Sequence, residues 1–62
     1  MRYTAFADGF EVRESATWDN IIRYTIQMCR KYKGHVVNVK CKRGHMSESF
    51  IWCEISNDII PA

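Results

Sequence analysis

Residues 35–55 read HVVNVKCKRGHMSESFIWCEI, and this stretch decides the fold because it alternates like two strands joined by a turn. Setting Cys41 opposite Ile51 collects the aliphatic side chains of both strands on one face, which predicts a core wall. That face comprises Val37, Val39, Cys41, Ile51, Cys53 and Ile55.

The same pairing gives this hairpin a second face that is aromatic and basic. Lys40 falls opposite Trp52, and Lys42 falls opposite Phe50. Arg43 adds another cation at the end of the first strand. Aromatic side chains and arginine are enriched in contact surfaces, so we expect this face to touch a partner.

The N-terminal segment predicts another hairpin. Asp8-Gly9 separates two alternating runs, and this dipeptide favours a two-residue type I′ turn. The inner face would then carry the more apolar set, Tyr3, Ala5, Phe10 and Val12. The outer face would carry Phe6 among polar side chains, Arg2, Thr4, Glu11 and Arg13.

A helix between the two hairpins would cover the core wall. Thr17 is a suitable N-cap, and Gly34 is the expected residue after the helix C-terminus. Apolar residues recur at helical spacing from Trp18 to Tyr32. The order β-β-α-β-β therefore predicts a single α+β domain over residues 1–62, with one helix on a four-stranded antiparallel sheet of order 2-1-3-4.

Size and composition limit the function. The chain has 62 residues, a formal net charge of +2 and three cysteines. A chain this short buries only about 60% of its unfolded surface, which leaves little room for a substrate pocket. The odd number of widely spaced cysteines predicts reduced thiols, and because the N-terminus goes straight into strand-like alternation we expect no signal peptide. We therefore expect a cytoplasmic protein without a membrane partner.

Catalysis and metal binding find little support. The cysteines recur at intervals of twelve residues and do not form the close ligand pairs of zinc sites. His45, Ser47 and Glu48 share a loop, but a hairpin tip does not hold a catalytic group rigidly. We expect no enzyme activity, no metal and no cofactor.

The leading hypothesis is a small non-catalytic regulator or inhibitor that binds a larger host protein through the outer face of its sheet. Stand-alone domains of this size are common among phage and mobile-element accessory proteins. The predicted binding residues are Phe6, Lys40, Lys42, Arg43, Phe50 and Trp52.

Two alternatives use the same region. Weak binding of single-stranded nucleic acid would stack bases on the aromatic rings and pair phosphates with the cations. The stretch from Ile22 to Ser47, which contains no Asp or Glu, favours such a polyanionic partner. Homodimerisation through this face or through Ile59-Ile60 is the third hypothesis.

Overall fold

A computed structural model describes residues 2–41, 44 and 46–62. One helix packs on a five-stranded antiparallel sheet of order β2-β1-β3-β4-β5. The elements are β1 (Tyr3–Ala7), β2 (Glu11–Ser15), α1 (Trp18–Lys31), β3 (Val37–Cys41), β4 (Ser47–Cys53) and β5 (Asp58–Pro61). The predicted α+β class and the order 2-1-3-4 are confirmed, and β5 extends the sheet by one strand that was not predicted.

The helix begins after the N-cap that its sequence favours, but it ends at Lys31 with Tyr32 as C-cap, two residues before the predicted end at about Lys33. The Thr17 hydroxyl accepts the backbone N–H of Asn20 at 3.3 Å, which satisfies one of the free donors of the first turn. The last turn closes when the Tyr32 N–H donates to the Met28 carbonyl at 2.8 Å. Gly34 follows at a φ of +87°, a left-handed conformation that glycine adopts without strain.

The core lies between α1 and the two central strands. β1 contributes alanines and β3 contributes valines, so the helix can approach the middle of the sheet closely. The buried apolar residues of this cluster are Ala5, Ala7, Ile21, Met28, Cys29, Val37 and Val39. Thr25 is also fully buried, and its hydroxyl donates to the Ile21 carbonyl at 2.8 Å. The core therefore holds no unpaired hydroxyl at this position.

The first hairpin turns through three residues, and the predicted type I′ turn is wrong. Ala7 pairs with Glu11, and the Phe10 N–H donates to the Ala7 carbonyl at 2.8 Å. Gly9 has a φ of 73°, but Asp8 does not share the positive φ that a type I′ turn requires at both positions. The additional residue Phe10 lengthens the loop by one and shifts the register of β2.

A shift of one position moves every side chain of β2 to the other face of the sheet. Val12 pairs with Phe6 on the outer face and is 61% exposed. Glu11 and Arg13 lie on the side of α1, where Lys31 approaches Glu11. The predicted inward placement of Val12 and outward placement of Glu11 and Arg13 are therefore wrong.

The second hairpin also differs in register. Val37 pairs with Phe50, and the Cys41 N–H donates to the Met46 carbonyl at 3.3 Å. The predicted pairing of Cys41 with Ile51 is therefore wrong. The displacement is an odd number of positions, so it exchanges the two faces of β4. Ile55, predicted to line the core, lies beyond the strand and is 98% exposed.

The hydrogen-bonding pattern between β4 and β5 shows which backbone groups face the open edge. The Ala62 N–H donates to the Ser49 carbonyl at 2.9 Å. Hydrogen-bonded pairs alternate along an antiparallel ladder, so Ile60 and Ile51 form the next such pair. The intervening residues of β5 therefore direct their backbone groups away from β4.

Both of the N–H positions on that open edge are blocked. The Ile59 N–H donates to the Asp58 carboxylate at 2.7 Å, and Pro61 has no N–H. An incoming strand would find acceptors here but no free donor within β5. Such an edge resists pairing with another chain.

Replacing both blocking residues, as Asp58→Ala with Pro61→Val, should promote self-association. Each restored hydrogen bond contributes about 1 kcal/mol, so two would raise the association constant roughly 30-fold. Light scattering over a concentration series measures the change. Asp58→Asn, which keeps an acceptor for Ile59, is the matched control. A double variant with the wild-type mass at every concentration would contradict the assignment.

Candidate functional site

The outer face of the sheet, opposite α1, is covered by no other element of the described chain. It divides into two halves along the strands. The half near the β1–β2 and β4–β5 turns is apolar, and we call it the apolar half-face: Phe6, Val12, Val36, Ile51 and Ile60. The other half is polar: Thr4, Glu14, Lys40 and Ser47.

Exposure is highest at the margins of the apolar half-face. Val12 is 61% exposed on the edge strand β2, and Ile60 is 39% exposed on the opposite edge strand β5. Val36, just before β3, is also 39% exposed. Phe6 and Ile51, on inner strands, are half-buried. Contiguous exposed apolar surface of this kind marks interaction sites in soluble proteins.

A side-chain hydrogen bond crosses the centre of the outer face. Ser49 donates its hydroxyl to the Asn38 carboxamide oxygen at 2.7 Å, across the β3–β4 pair. This bond fixes the orientation of the Asn38 side chain. The Asn38 NH₂ group has no acceptor among the described residues, so it remains a donor that a partner can use.

A shallow depression of about 520 Å³ lies between the β1–β2 turn and β3. Phe6 and Val12 give it an apolar side, and Asn38 and Lys40 give it a polar side. The Lys40 ammonium lies 5.5 Å from the centre of the Phe6 ring, within cation–π range. An apolar group with a neighbouring polar atom would fit this arrangement.

The structure brings only part of the predicted site together. Phe6 and Lys40 lie side by side on the outer face, as predicted. Phe50 and Trp52 face α1 and pack against the core, so their predicted outer placement is wrong. Lys42 and Arg43 lie outside the described residues.

Contacts on the helix side explain the positions of the two misplaced aromatic residues. The Cys29 thiol approaches the Phe50 carbonyl at 3.9 Å. Trp52 pairs with Ile59, and the Arg30 guanidinium lies 5.6 Å from its ring centre. The Trp52 indole nitrogen is buried without an acceptor among the described residues. Both rings therefore serve the packing of α1 on the sheet.

Arg13, which the sequence placed on the outer face, also belongs to the helix side. Its guanidinium donates to the Glu11 carboxylate at 3.0 Å and lies 5.4 Å from the Tyr24 ring centre. Lys31 approaches the same carboxylate at 3.9 Å. On the outer face, Arg2 pairs with Glu14 at 3.4 Å. Lys40 is thus the cation of the described outer face that has no carboxylate partner.

The three cysteines are free and occupy different environments. Cys29 is buried under the helix, and burial raises the pKa of its thiol to about 11. Cys53 lies at the end of β4, paired with Asp58, rather than in the core wall as predicted. The hydroxyl and backbone N–H of Ser56 lower the pKa of Cys53 by stabilising its thiolate. Among the described residues, no three His, Cys, Asp or Glu side chains are placed to hold a metal ion.

Sequence reasoning missed most of the apolar half-face. Alternation predicts Val12 and Ile51 in the core, and it predicts no strand that contains Ile60. A signal existed for the β4 position: the run Phe50-Ile51-Trp52-Cys53 is apolar on both faces of a strand and therefore places an apolar side chain outside in either register.

Comparison with protein-family models, with curated proteins and with solved structures finds no match for this chain. In the part of the chain that the structure describes, no helix is long and apolar enough to cross a membrane.

Proposed function

We propose that this chain is a small non-catalytic regulator or inhibitor that binds a larger protein through the outer face of its sheet. The observation that carries the proposal is the apolar half-face, which no described element covers. Burying an exposed valine or isoleucine side chain in an interface yields about 1.5–3 kcal/mol. Val12, Val36 and Ile60 are the most exposed of these side chains, so they have the most apolar surface left to bury against a partner.

The side chains of this face favour a protein partner over single-stranded nucleic acid. A nucleic-acid surface combines several cations with exposed rings. With Phe50, Trp52 and Arg13 on the helix side, the described outer face offers Phe6 and Lys40 for that role. Arg2 is paired with Glu14, and most of the other exposed side chains of this face are aliphatic or uncharged, which suits the apolar centre of a protein interface.

The dimensions of the face indicate a weak or transient complex. Five strands spaced at about 4.8 Å span about 19 Å, and five residues along a strand extend about 17 Å. The product, about 300 Å², is well below the roughly 800 Å² per partner of a standard interface. The same figure argues against a stable homodimer held by this face alone.

The partner would lie across the face rather than add a strand at β5. The blocked edge at Ile59 and Pro61 offers no free N–H to an incoming strand. On the face itself, the Asn38 amide and the Lys40 ammonium provide polar groups that would orient the partner. Apolar contacts would then supply most of the affinity, and these two groups would supply the specificity.

The test compares immobilised wild type with Val12→Lys/Ile60→Lys in capture from source-cell lysate, with cross-links mapped to the bound protein. We expect the double variant to lose about 100-fold in affinity, since two apolar contacts become charged. Arg23→Ala, on the opposite side of the molecule, is the matched control and should retain the partner. Equal recovery by the double variant would refute the proposal.

A further inference from the structure

A second surface lies on the solvent side of α1. Four polar side chains, all exposed, follow one line along the helix at spacings of three and four residues, and we call them the α1 ridge: Asn20, Arg23, Gln27 and Arg30. None of the four is acidic, and all of them can donate hydrogen bonds, although the exposed carboxylate of Asp19 lies one turn before Arg23 on the same side of α1. This surface is on the opposite side of the molecule from the apolar half-face, so an inference about it is independent of the proposed function.

Ion pairs elsewhere on the helix side leave two arginines of the α1 ridge without an acidic partner. Glu11 is engaged by Arg13 and Lys31. Glu54 pairs with Lys33 at 3.0 Å. Among the described residues, Arg23 and Arg30 have no carboxylate within ion-pair distance. Two guanidinium groups therefore remain available to an anionic partner.

Arg30 makes a cation–π contact. Its guanidinium lies 5.6 Å from the centre of the Trp52 ring, and Trp52 is itself packed against the core. A guanidinium over the face of an aromatic ring still has N–H groups that can donate hydrogen bonds to a ligand. Arg30 is thus oriented before a ligand arrives, which reduces the entropy lost on binding.

The side-chain types of the α1 ridge match those that contact duplex DNA. Arginine binds guanine edges or phosphates in a bidentate manner, and asparagine and glutamine bind adenine edges. An α-helix with its side chains is about 10–12 Å in diameter, which fits the roughly 12 Å width of the DNA major groove, and Arg23 and Arg30 lie two helical turns apart on α1. We propose that the α1 ridge binds double-stranded DNA, with α1 lying in the major groove.

Other polyanions fit this surface less well. The major groove of an RNA duplex is too narrow to admit side chains from a helix. Single strands are held by exposed rings, but the rings nearest the ridge, Trp52 and Tyr24, carry the guanidinium groups of Arg30 and Arg13 on their faces. The ridge also lacks an apolar anchor for a protein partner.

The experiment measures fluorescence anisotropy of a short labelled DNA duplex of mixed sequence at about 50 mM and about 200 mM salt. Wild type should bind with a micromolar dissociation constant that weakens about tenfold or more between the two salt concentrations. The same sequence as duplex RNA and as single-stranded DNA should bind at least tenfold more weakly.

Two double variants of equal charge change locate the contact. Arg23→Gln/Arg30→Gln should weaken DNA binding about tenfold or more at the lower salt concentration and reduce the salt slope by about 2. Arg2→Gln/Lys40→Gln, on the outer face, should change the affinity less than about twofold if the contact lies on α1. Circular dichroism confirms that both variants are folded, as expected for exposed positions.

Each contrary result overturns the proposal. Absence of binding by wild type at the lower salt concentration would show that the α1 ridge is an ordinary solvated helix face. Equal losses in the two double variants would show attraction to net charge alone. Equal or tighter binding of the RNA duplex or the single strand would rule out insertion of α1 into the major groove of DNA.

Discussion

Replacing Phe50 with lysine is expected to lower the free energy of unfolding by about 3 kcal/mol or more, whereas replacing the next residue, Ile51, with lysine is expected to lower it by about 1 kcal/mol at most. Phe50 packs against the core beside α1, and a lysine there would lose that burial and bring a charge to the helix–sheet boundary. Such a change costs about 3 kcal/mol or more. A domain of this length has only about 3–9 kcal/mol of stability in total, at 0.05–0.15 kcal/mol per residue.

Ile51 faces the outer side, where it pairs with Ile60 across β4 and β5. A lysine at this position keeps its ammonium in water and lays its methylene stem on the sheet, so the free energy of unfolding should change by about 1 kcal/mol at most. Urea titration followed by far-UV circular dichroism measures both variants. If Ile51→Lys were the more destabilised variant, the register of β4 would be the one that places Phe50 and Trp52 outside.

Trp52→Ala should lower the free energy of unfolding by about 3 kcal/mol, whereas Trp52→Phe should lower it by less than about 1 kcal/mol. Alanine removes the ring that packs against the core and supports the Arg30 guanidinium. Phenylalanine keeps most of the packing and also removes the buried indole N–H, which has no acceptor among the described residues. The cost of leaving that group unpaired, about 1–3 kcal/mol, offsets the loss of ring volume.

Urea titration followed by circular dichroism measures the free energy of unfolding of both variants without relying on tryptophan fluorescence. The comparison separates the contribution of ring packing from the cost of the buried indole N–H. Trp18→Phe is the matched control, because that ring packs edge-on against Tyr3 at 5.4 Å. Equal costs for Trp52→Phe and Trp52→Ala would indicate that the indole N–H has an acceptor, such as an ordered water. If Trp52→Ala lowered the free energy of unfolding by less than about 1 kcal/mol, the Trp52 ring would not be part of the packed core.

The helix and the sheet order could be predicted because local signals and connectivity fix them. Thr17 and Gly34 mark the ends of the helical segment, and apolar spacing identifies its buried side. A single helix between two hairpins then leaves few ways to join the strands. In the structure α1 connects β2 to β3, and β1 lies between these two strands in the sheet.

The register of the second hairpin could not be predicted from alternation, because residues 50–53 are apolar on both faces. Either Phe50 with Trp52 or Ile51 with Cys53 would complete a core wall. In the structure the Cys41 N–H donates to the Met46 carbonyl and Val37 pairs with Phe50, a register that the aliphatic pattern does not reveal. The aromatic part of the predicted site fails for this reason, whereas Phe6 and Lys40 keep their outward positions.

The edge strands departed from expectation for another reason. β2 lies at the flank of α1, where its inward side chains are half-covered and can be polar. Glu11 and Arg13 therefore form an ion pair there, and the loop gains a residue at Phe10. β5 is short and contains Pro61, which usually counts against a strand, although an edge position tolerates it.

The place of β1 inside the sheet, between β2 and β3, governs the order in which the fold can be completed during synthesis. β1 pairs with β3, and α1 separates the two strands in the chain. The entropy of closing that long segment must be overcome before its contacts form, which slows folding relative to helical proteins of similar length. On the ribosome, the β1–β2 hairpin therefore emerges with one side of β1 unpaired until β3 has followed it out of the exit tunnel.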